Sequence, residues 1–551
     1  MKYILVSGGC LSGLGKGICA SSTGLLLQMH GLHVTAIKID PYLNIDAGTM
    51  SPFEHGEVYV LRDGGETDLD LGNYERFLDI TLTKDHNITT GKIYKHVIDA
   101  ERRGDYLGKT VQIVPHVTTA IKEWIERVAG LNAIIGSNGN VCIIELGGTI
   151  GDFESGPFVE GLRQLKRSLP QGDFCHVHVT LVPTLGEQKT KPTQQSVGLV
   201  RRAGLPPDFI ITRSDAPLGR AARNKIAAYC DVAPECIISS HNTILYNVPI
   251  VFHGQGYDHE LLRFLKVANA PLTALYYERW YHIAETAGAL ERSDKTKTLA
   301  IVGKYTQNRD SYLSLLKAIE HAAIAAGVAL DIRWVSAEGL PNDLNSDSGG
   351  ELFNDLNGNK NTSLEARLEG CDYMIVPGGF GSRGFEGKVR AVQWAYEHGV
   401  KVLGICLGMQ VLVTWAMRAL CGIQEANSIE VDPDCKVPST IHMHDLDQSQ
   451  MGGTMRLGLQ KVVLDGGSMV ERVYGGLEVL ERYRHRYEIH PAAVRAIEEA
   501  DCGVAFTGRN RHRMAVVEGS LKGFEFIGVQ YHPEYETHAY RPHPLFRWLI
   551  K

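Results

Sequence analysis

The chain has 551 residues, of which 44% are hydrophobic and 22% charged. This is ordinary globular usage, and at about 100–200 residues per domain the length exceeds what one hydrophobic core organises. Lys and Arg total 56 against 63 Asp and Glu, a formal charge of -7, which excludes a general nucleic-acid coat or a basic membrane-surface protein but leaves local basic pockets open. There is no apolar run of bilayer length, no signal-peptide pattern after the first residues, and no CxxC pair among eleven scattered cysteines. The expectation is a reduced, cytoplasmic enzyme with neither nucleic acid nor membrane as partner.

In chain order, residues 3–7, 34–39, 141–145 and 176–182 read as buried strands, and residues 18–30 and 117–128 carry the apolar spacing of helices. Such alternation predicts a parallel sheet with crossover helices and ligands at the carboxyl ends of its strands. An aromatic stretch around Arg279-Trp280-Tyr281 and a charged connector, residues 291–297, precede a fresh strand at 299–302 that opens a second alternating series. The expected fold class is α/β with two domains, each a mostly parallel sheet flanked by helices. The expected division is 1–267, a linker at 268–298, and 299–551. Residues 341–363, rich in Asn, Asp, Gly and Ser, read as a surface-loop insertion.

Ser7-Gly8-Gly9-Cys10-Leu11-Ser12-Gly13-Leu14-Gly15-Lys16-Gly17 follows the first strand and opens a helix. Small residues let backbone N–H groups face an anion, and Lys16 and the helix N-terminus add positive potential. The spelling departs from the standard phosphate loop, since Cys10 replaces its first glycine and Gly17 the hydroxyl residue that would meet magnesium. A metal there needs other ligands, and a glycine-rich structural turn reads the same way. Asp70, and Glu145 at the end of a buried strand, are the candidate ligands, with a surface carboxylate as the alternative for either. Lys38 is a phosphate contact or a snorkelling lysine. The run Glu187-Gln188-Lys189-Thr190-Lys191-Pro192-Thr193-Gln194 is an anion site or a solvated charged loop.

In the second series, Gly404-Ile405-Cys406-Leu407-Gly408 has the strand–turn–helix form of a nucleophile elbow, where glycines permit a strained turn that projects one side chain. A thiol near a helix N-terminus favours the thiolate; a buried structural cysteine is the alternative. His532-Pro533-Glu534 offers a base and an orienting carboxylate. Backbone N–H groups of Pro377-Gly378-Gly379-Phe380-Gly381 and Leu407 could form an oxyanion hole.

Across nearly its whole length the chain resembles the CTP synthase family. Residues 9–17, Asp40-Pro41-Tyr42-Leu43-Asn44, Ser51-Pro52-Phe53-Glu54-His55-Gly56-Glu57, residues 67–72, Arg102-Arg103-Gly104-Asp105-Tyr106-Leu107-Gly108 and residues 189–194 are similar to its synthetase domain. Residues 378–381, 404–410, 425–430, 484–488 and 530–534 are similar to its class I glutamine amidotransferase domain.

The resemblance implies amination of UTP to CTP with ATP, Mg²⁺ and glutamine, via a 4-phosphorylated UTP. It also implies GTP activation, CTP feedback inhibition, a homotetramer and, in some members, filaments. By position, Gly13, Leu14, Gly15, Lys16, Gly17, Ile18 and Lys38 would hold ATP phosphates, with Asp70 and Glu145 on the metal. The adenine side would fall at His241-Asn242-Thr243. Ser12, Gln112, Lys189, Thr190, Lys191, Pro192, Thr193, Gln194 and Lys225 would hold UTP, and Asp152, Phe153 and Glu154 the product CTP. Gly379, Leu407, Gly408, Met409, Gln410, Glu430 and Arg486 would hold glutamine around a Cys406, His532, Glu534 triad. His55 would gate ammonia, while Arg383 and the 104–108 loop are candidates toward GTP. Two other readings stay open, another phosphate-loop amide ligase with a fused glutaminase, and a catalytically silent nucleotide-sensing or filament-forming protein.

Overall fold

The computed structural model describes all residues except 10, 132, 134–138, 268–269, 307, 339–362 and 444–452. Cys10, all of the insertion expected at 341–363 but its last residue, and part of the expected linker therefore lie outside the described residues. Contacts group the chain into two compact units, Met1–Ala47 with Asp70–Gly288, and Gly48–Leu69 with Ala289–Lys551.

The first unit is built on a seven-stranded sheet in the order Ile237–His241, Phe209–Ser214, Phe174–Leu181, Lys2–Gly8, Asn140–Leu146, His33–Asp40, Asn87–Thr89. Every neighbouring pair is parallel. The strands are apolar on both faces, as a sheet covered by helices on both sides requires. Helices Thr118–Leu131 and Gly156–Ser168 cover one face, where Ile121, Ile125 and Leu162 pack on Leu5, Ile37 and Ile144. Because the strands are parallel, the turns after Gly8, Asp40 and Leu146 emerge on the same edge. The expected strands and helices are found within a residue or three of their predicted ends. Much of the expected linker is helix Ala274–Glu291, whose Trp280 is fully buried and donates to the Tyr246 carbonyl at 2.7 Å. That indole, packed on Phe77 and Tyr246, makes the aromatic stretch an anchor of the first unit.

The second unit holds a nine-stranded sheet. Ala329–Ser336, Thr296–Gly303, Tyr373–Val376, Lys401–Ile405 and Phe524–Val529 run parallel. Arg513–Leu521, Val504–Asn510, Arg456–Leu464 and Glu478–His485 then continue it antiparallel. Alternate residues of the parallel strands feed two cores. Val376 and Val402 face Trp415 and Phe526, while Ile375 and Leu403 face Ile527 and Phe546.

One segment of the first half of the chain belongs to this second unit. Gly48–Leu69 forms helix Pro52–His55 and a small antiparallel pair, Tyr59–Val60 with Glu66–Thr67. It is fastened by charge. Arg482, 1% exposed, donates to Glu536 at 2.6 Å, to the Tyr59 hydroxyl at 3.0 Å and to the Val60 carbonyl at 2.9 Å. Arg62 reaches the other Glu536 oxygen at 2.7 Å, and Arg484 meets buried Glu66 at 2.9 Å. The Glu57 carboxylate accepts from the Ser314 N–H at 2.9 Å and from the Ser314 hydroxyl, holding the start of helix Leu313–Ala326.

Removing one partner of a buried ion pair strands the other charge, at a cost of about 3–5 kcal/mol. Arg482→Met is expected to destabilise the second unit by that order in chemical denaturation. It should also expose residues 48–69 to limited proteolysis. An unchanged midpoint and digestion pattern would show that Arg482 does not hold the segment.

Candidate functional site

Cys406 stands between strand Lys401–Ile405 and helix Leu407–Ala419 with φ 54 and ψ -103, a conformation side chains other than glycine rarely adopt. Its N–H is fixed to the Val529 carbonyl at 2.7 Å. The flanking glycines are there for space. A Cβ on Gly408 would lie 2.0 Å from the Val376 carbonyl oxygen, and one on Gly404 2.7 Å from the Gly408 oxygen. The thiol is nearly buried, its sulfur 3.6 Å from the Arg484 carbonyl oxygen and 3.7 Å from the Gln530 amide nitrogen.

His532 follows the neighbouring strand and puts Nδ1 2.7 Å from Glu534 Oε1. With Nδ1 so occupied, Nε2 is left for the thiol. Burial disfavours the imidazolium, but Glu534 and the Cys406 sulfur outweigh it and push the His532 pKa up from 6.5 to about 10. Gly378 packs against the two, since a Cβ there would come 2.9 Å from His532 Cε1 and 3.5 Å from Cys406 Cβ. Cys406, His532, Glu534, Gly378, Gly379 and Phe380 line one pocket, together with Pro52, Glu57 and Val58 of the inserted segment. His55, half-exposed, is not among its lining residues.

Two lysines that the sequence reading passed over support the loop. Lys304 donates to the Phe380 carbonyl at 2.7 Å and to that of Gly381, and burial lowers its pKa to about 8. Lys388, fully buried, donates to the Pro377 carbonyl at 2.9 Å, and burial holds it well below the ordinary lysine range. Glu430 accepts from the Gly381 N–H at 2.6 Å; burial raises its carboxyl, against Lys304, Lys388 and Arg486. Glu430, Arg486 and Gly379 are thus brought to one loop. Gln410 donates to the Tyr487 carbonyl and the Gln530 side chain, each at 3.2 Å, and its own Oε1 is buried without a partner. Leu407 and Met409 are buried in the helix. Only a single buried lysine in an apolar helix pattern could have pointed to Lys388, a signal too weak to separate from a surface residue.

In the first unit, Gly15 (φ 85) turns the chain into helix Lys16–Met29, and Lys16 Nζ donates to the Gly148 carbonyl at 3.1 Å. Asp70 and Glu145 face Gly17, where a Cβ would lie 2.8 Å from Asp70 Oδ1 and 3.4 Å from Glu145 Oε2. The residue that would carry the usual hydroxyl is glycine because the carboxylates take up its space. Lys38 bridges Asp70 at 2.5 Å and Asp40 at 3.0 Å. The Tyr74 hydroxyl donates to Glu145, whose pKa burial and the Asp70 charge raise to about 7 against Lys38 and Lys16. Beneath the loop lies a network the sequence reading did not anticipate. Ser7 bonds His176 at 2.7 Å and His178 at 2.8 Å, and His178 bonds Ser196 at 2.7 Å. Burial lowers the His176 pKa to about 3 and that of His178 well below its ordinary value, so both rings are neutral.

The remaining expected residues are placed less tightly. Gly13, Leu14 and Ile18 belong to the loop and helix start, and Ser12 is exposed. Lys191 and Pro192 open helix Lys191–Arg202, Gln194 donates to Thr190 at 3.0 Å, and Thr193 is buried against the Leu181 carbonyl. Lys189 pairs with Glu187 at 2.9 Å, and the charge of exposed Lys225 also reaches Glu187. Gln112 and Asp152 are exposed, and Phe153 is 100% exposed. Phe153 and Glu154 line a cavity with Pro41, Leu43 and Tyr94 that includes neither Ser12, Gln112 nor residues 189–194. His241 ends an edge strand, and Asn242 donates to Asp215 at 3.4 Å. Arg383 pairs with Glu338 at 3.5 Å and lies over the Phe53 ring. Among the described residues no helix is long and apolar enough to cross a membrane.

The raised His532 pKa has a direction that can be checked. Its ionised ring stabilises the fold fully below about pH 6.5, and that contribution is lost as pH climbs through about 10. Ring-carbon NMR of labelled histidine should show His532 protonated at neutral pH and titrating near 10, with Cys406→Ala moving the midpoint down. A midpoint near 6.5 in both proteins would mean that neither neighbour acts on the ring.

Comparison with known proteins agrees with the two-part organisation. The CTP synthase N-terminus family matches residues 2–267, and the class-I glutamine amidotransferase family matches residues 308–551. A CTP synthase of Schizosaccharomyces pombe is 47% identical over 559 residues, covering 99% of this chain and 91% of the relative. One from Methanosarcina mazei is 47% identical, covering 100% and 98%, and CTP synthase 1 of Homo sapiens is 46% identical, covering 100% and 92%. Identity of this level, sustained through both halves of the chain in the same order, makes it a member of the CTP synthase family and a glutamine-dependent ligase.

Proposed function

We propose that the chain aminates UTP to CTP in two coupled half-reactions, glutamine hydrolysis at Cys406 and ATP-driven activation of the uracil 4-oxygen at the phosphate loop. The observation that carries this reading is the pairing, in one chain, of a strained thiol backed by His532–Glu534 with two carboxylates crowding Gly17 beside Lys16 and Lys38.

At the thiol site, Cys406 attacks the glutamine amide carbon. His532 passes its proton to the departing nitrogen, and ammonia leaves a glutamyl thioester. His532 then takes a proton from water, the water attacks the thioester, and glutamate departs as the thiol is restored. Glu534 keeps Nε2 aimed at the sulfur through its bond to Nδ1. The N–H groups of Gly379 and Leu407 take the developing oxyanion, a contribution of about 10²–10³ in rate. Glu430 and Arg486 orient the substrate's charged end, with Gly408, Met409 and Gln410 shaping the wall.

At the phosphate loop, residues 13–18 and Lys38 hold ATP. The donor set fits Mg²⁺, a hard cation that takes carboxylate oxygens, and the space in front of Gly17 is where Asp70 and Glu145 converge. When bound, Mg²⁺ would supply charge neutralisation of the phosphates. The 4-oxygen attacks the γ-phosphorus and ADP leaves; ammonia then adds at C4 and phosphate leaves with that oxygen. Lys16 stabilises the charge on the transferring group. Residues 189–194, Ser12 and Lys225 provide the cationic and hydroxyl contacts for the UTP triphosphate, with Gln112 toward uracil and residues 152–154 toward CTP as inhibitor. The fully exposed Phe153, with Leu107 at 88% and Leu43 at 75%, supports assembly of this unit into a homo-oligomer, with tetramers and filaments as its forms. His55 as ammonia gate, and GTP activation through Arg383 and the 104–108 loop, complete the reading, as does a cytoplasmic location.

Nucleotide products followed by chromatography with UTP, ATP, Mg²⁺ and GTP, and either glutamine or ammonia, should show CTP in both cases. Cys406→Ala should abolish the glutamine route and retain the ammonia route; loss of both would overturn the division of labour. Gly17→Ser should lower both routes at least tenfold while sparing glutaminase, because the new side chain meets Asp70. Unchanged CTP formation would place the metal elsewhere.

A further inference from the structure

Away from both sites, three histidines surround one buried carboxylate. His30 ends the helix whose other end carries the phosphate loop, and it is 2% exposed. Its Nδ1 lies 2.6 Å from the Ala270 carbonyl oxygen and its Nε2 2.8 Å from Asp258 Oδ2. The same Oδ2 is 2.8 Å from His253 Nδ1, while Asp258 Oδ1, on a residue 0% exposed, has no hydrogen-bond partner among the described residues. His259, exposed, places its ring 5.7 Å from those of both His30 and His253. Ligand atoms of His30, Asp258 and His259 lie within 4.8 Å of one another.

A carbonyl oxygen can only accept, so His30 Nδ1 carries a proton. In the neutral ring Nε2 then presents a lone pair to a carboxylate oxygen 2.8 Å away, a repulsive contact unless a ring proton bridges the two atoms or a cation sits beside them, bound to both. A proton would satisfy that single contact but would leave Oδ1 bare and the approach of His259 without a purpose. A metal ion answers all three. Fixing the tautomer of a ligand histidine through a backbone carbonyl on its far nitrogen is also the usual support of a metal-bound imidazole.

We propose that His30, Asp258 and His259 form a binding site for a zinc-class divalent cation, with His253 or water in the fourth position. Two imidazoles and a carboxylate suit such ions, whereas Mg²⁺ and Ca²⁺ take oxygen-rich sets. The ion ties the end of helix Lys16–Met29 to helix Tyr257–Phe264 and, through His30, to the chain at Ala270. Its role is structural, because none of its ligands belongs to the phosphate or thiol sites.

The test uses the full chain, stripped with chelator and titrated with Co²⁺ in excess Mg²⁺, which keeps Asp70 and Glu145 occupied. One equivalent should bind, with the visible absorption of a four-coordinate nitrogen and oxygen site and no sulfur charge-transfer band. Zn²⁺ should displace it and raise the melting temperature of the stripped protein. His259→Ala, on an exposed side chain that folding does not need, should weaken binding at least tenfold, and His30→Gln should abolish the spectrum. Absence of Co²⁺ binding, or binding indifferent to His259→Ala, would overturn the proposal and leave a proton-held histidine–aspartate cluster.

Discussion

Arg482 is the side chain on which the thiol unit's organisation turns. It is fully buried, and its donors are divided between Glu536, which follows the His532-Pro533-Glu534 run, and the Tyr59–Val60 strand of the inserted segment. Its backbone carbonyl also accepts from the His532 N–H at 2.8 Å. One residue therefore holds the base of the triad by its main chain and the segment beside it by its side chain. Two residues on, Arg484 repeats the arrangement, with its guanidinium on Glu66 and its carbonyl against the Cys406 sulfur. A charge buried this deeply costs more to desolvate than most pairs return, and here its Nε and Nη1 donors are met by fixed acceptors. The geometry of the pocket is thus bound to the presence of residues 48–69.

That segment ends at Leu69, and the next residue, Asp70, belongs to the other unit and faces Gly17. One continuous stretch of chain, from Glu57 to Asp70, thus contributes first to the wall of the thiol pocket and then to the turn at Gly17.

Much of this was legible in the sequence, for physical reasons that differ by residue. The parallel sheets announced themselves because strands buried on both faces must be continuously apolar, and Gly404, Cys406 and Gly408 because a strained turn leaves few choices of residue. Gly17 was read as a departure from the phosphate-loop spelling, and the structure supplies the cause, since Asp70 and Glu145 fill the space a side chain would need. What stayed hidden was whatever depends on long-range pairing. Nothing in the local pattern of residues 48–69 says that they leave their neighbours for the second unit. The Ser7–His176–His178 network joins residues 169 and 171 apart, and Lys304 reaches a carbonyl 76 residues on, so neither leaves a local pattern, while Lys388 lies only 11 residues from Pro377 and looks like any other helix lysine. Trp280 was visible as an aromatic in a charged neighbourhood, yet only its indole bond to Tyr246 shows that the stretch anchors a unit.

The electrostatics of the two sites differ in a way their chemistry requires. At Cys406 a carboxylate and a sulfur outweigh burial and raise the pKa of the histidine, which under the proposed hydrolysis keeps in the pocket the proton that the amide nitrogen needs on leaving. At Gly17 two carboxylates meet, and burial and the Asp70 charge together raise the pKa of Glu145. Neighbouring Lys38 and Lys16 recover only part of that cost, so the corner is short of positive charge. Asp70 and Glu145 would hold a divalent cation there under the proposed function, and it would supply the missing positive charge. The thiol pocket thus carries the counter-charge of its histidine in Glu534, whereas the corner at Gly17 gathers carboxylates around two lysines. Under the proposed reactions this asymmetry is what each site needs, because amide hydrolysis uses a resident proton carrier and phosphoryl transfer a pocket balanced by nucleotide and metal.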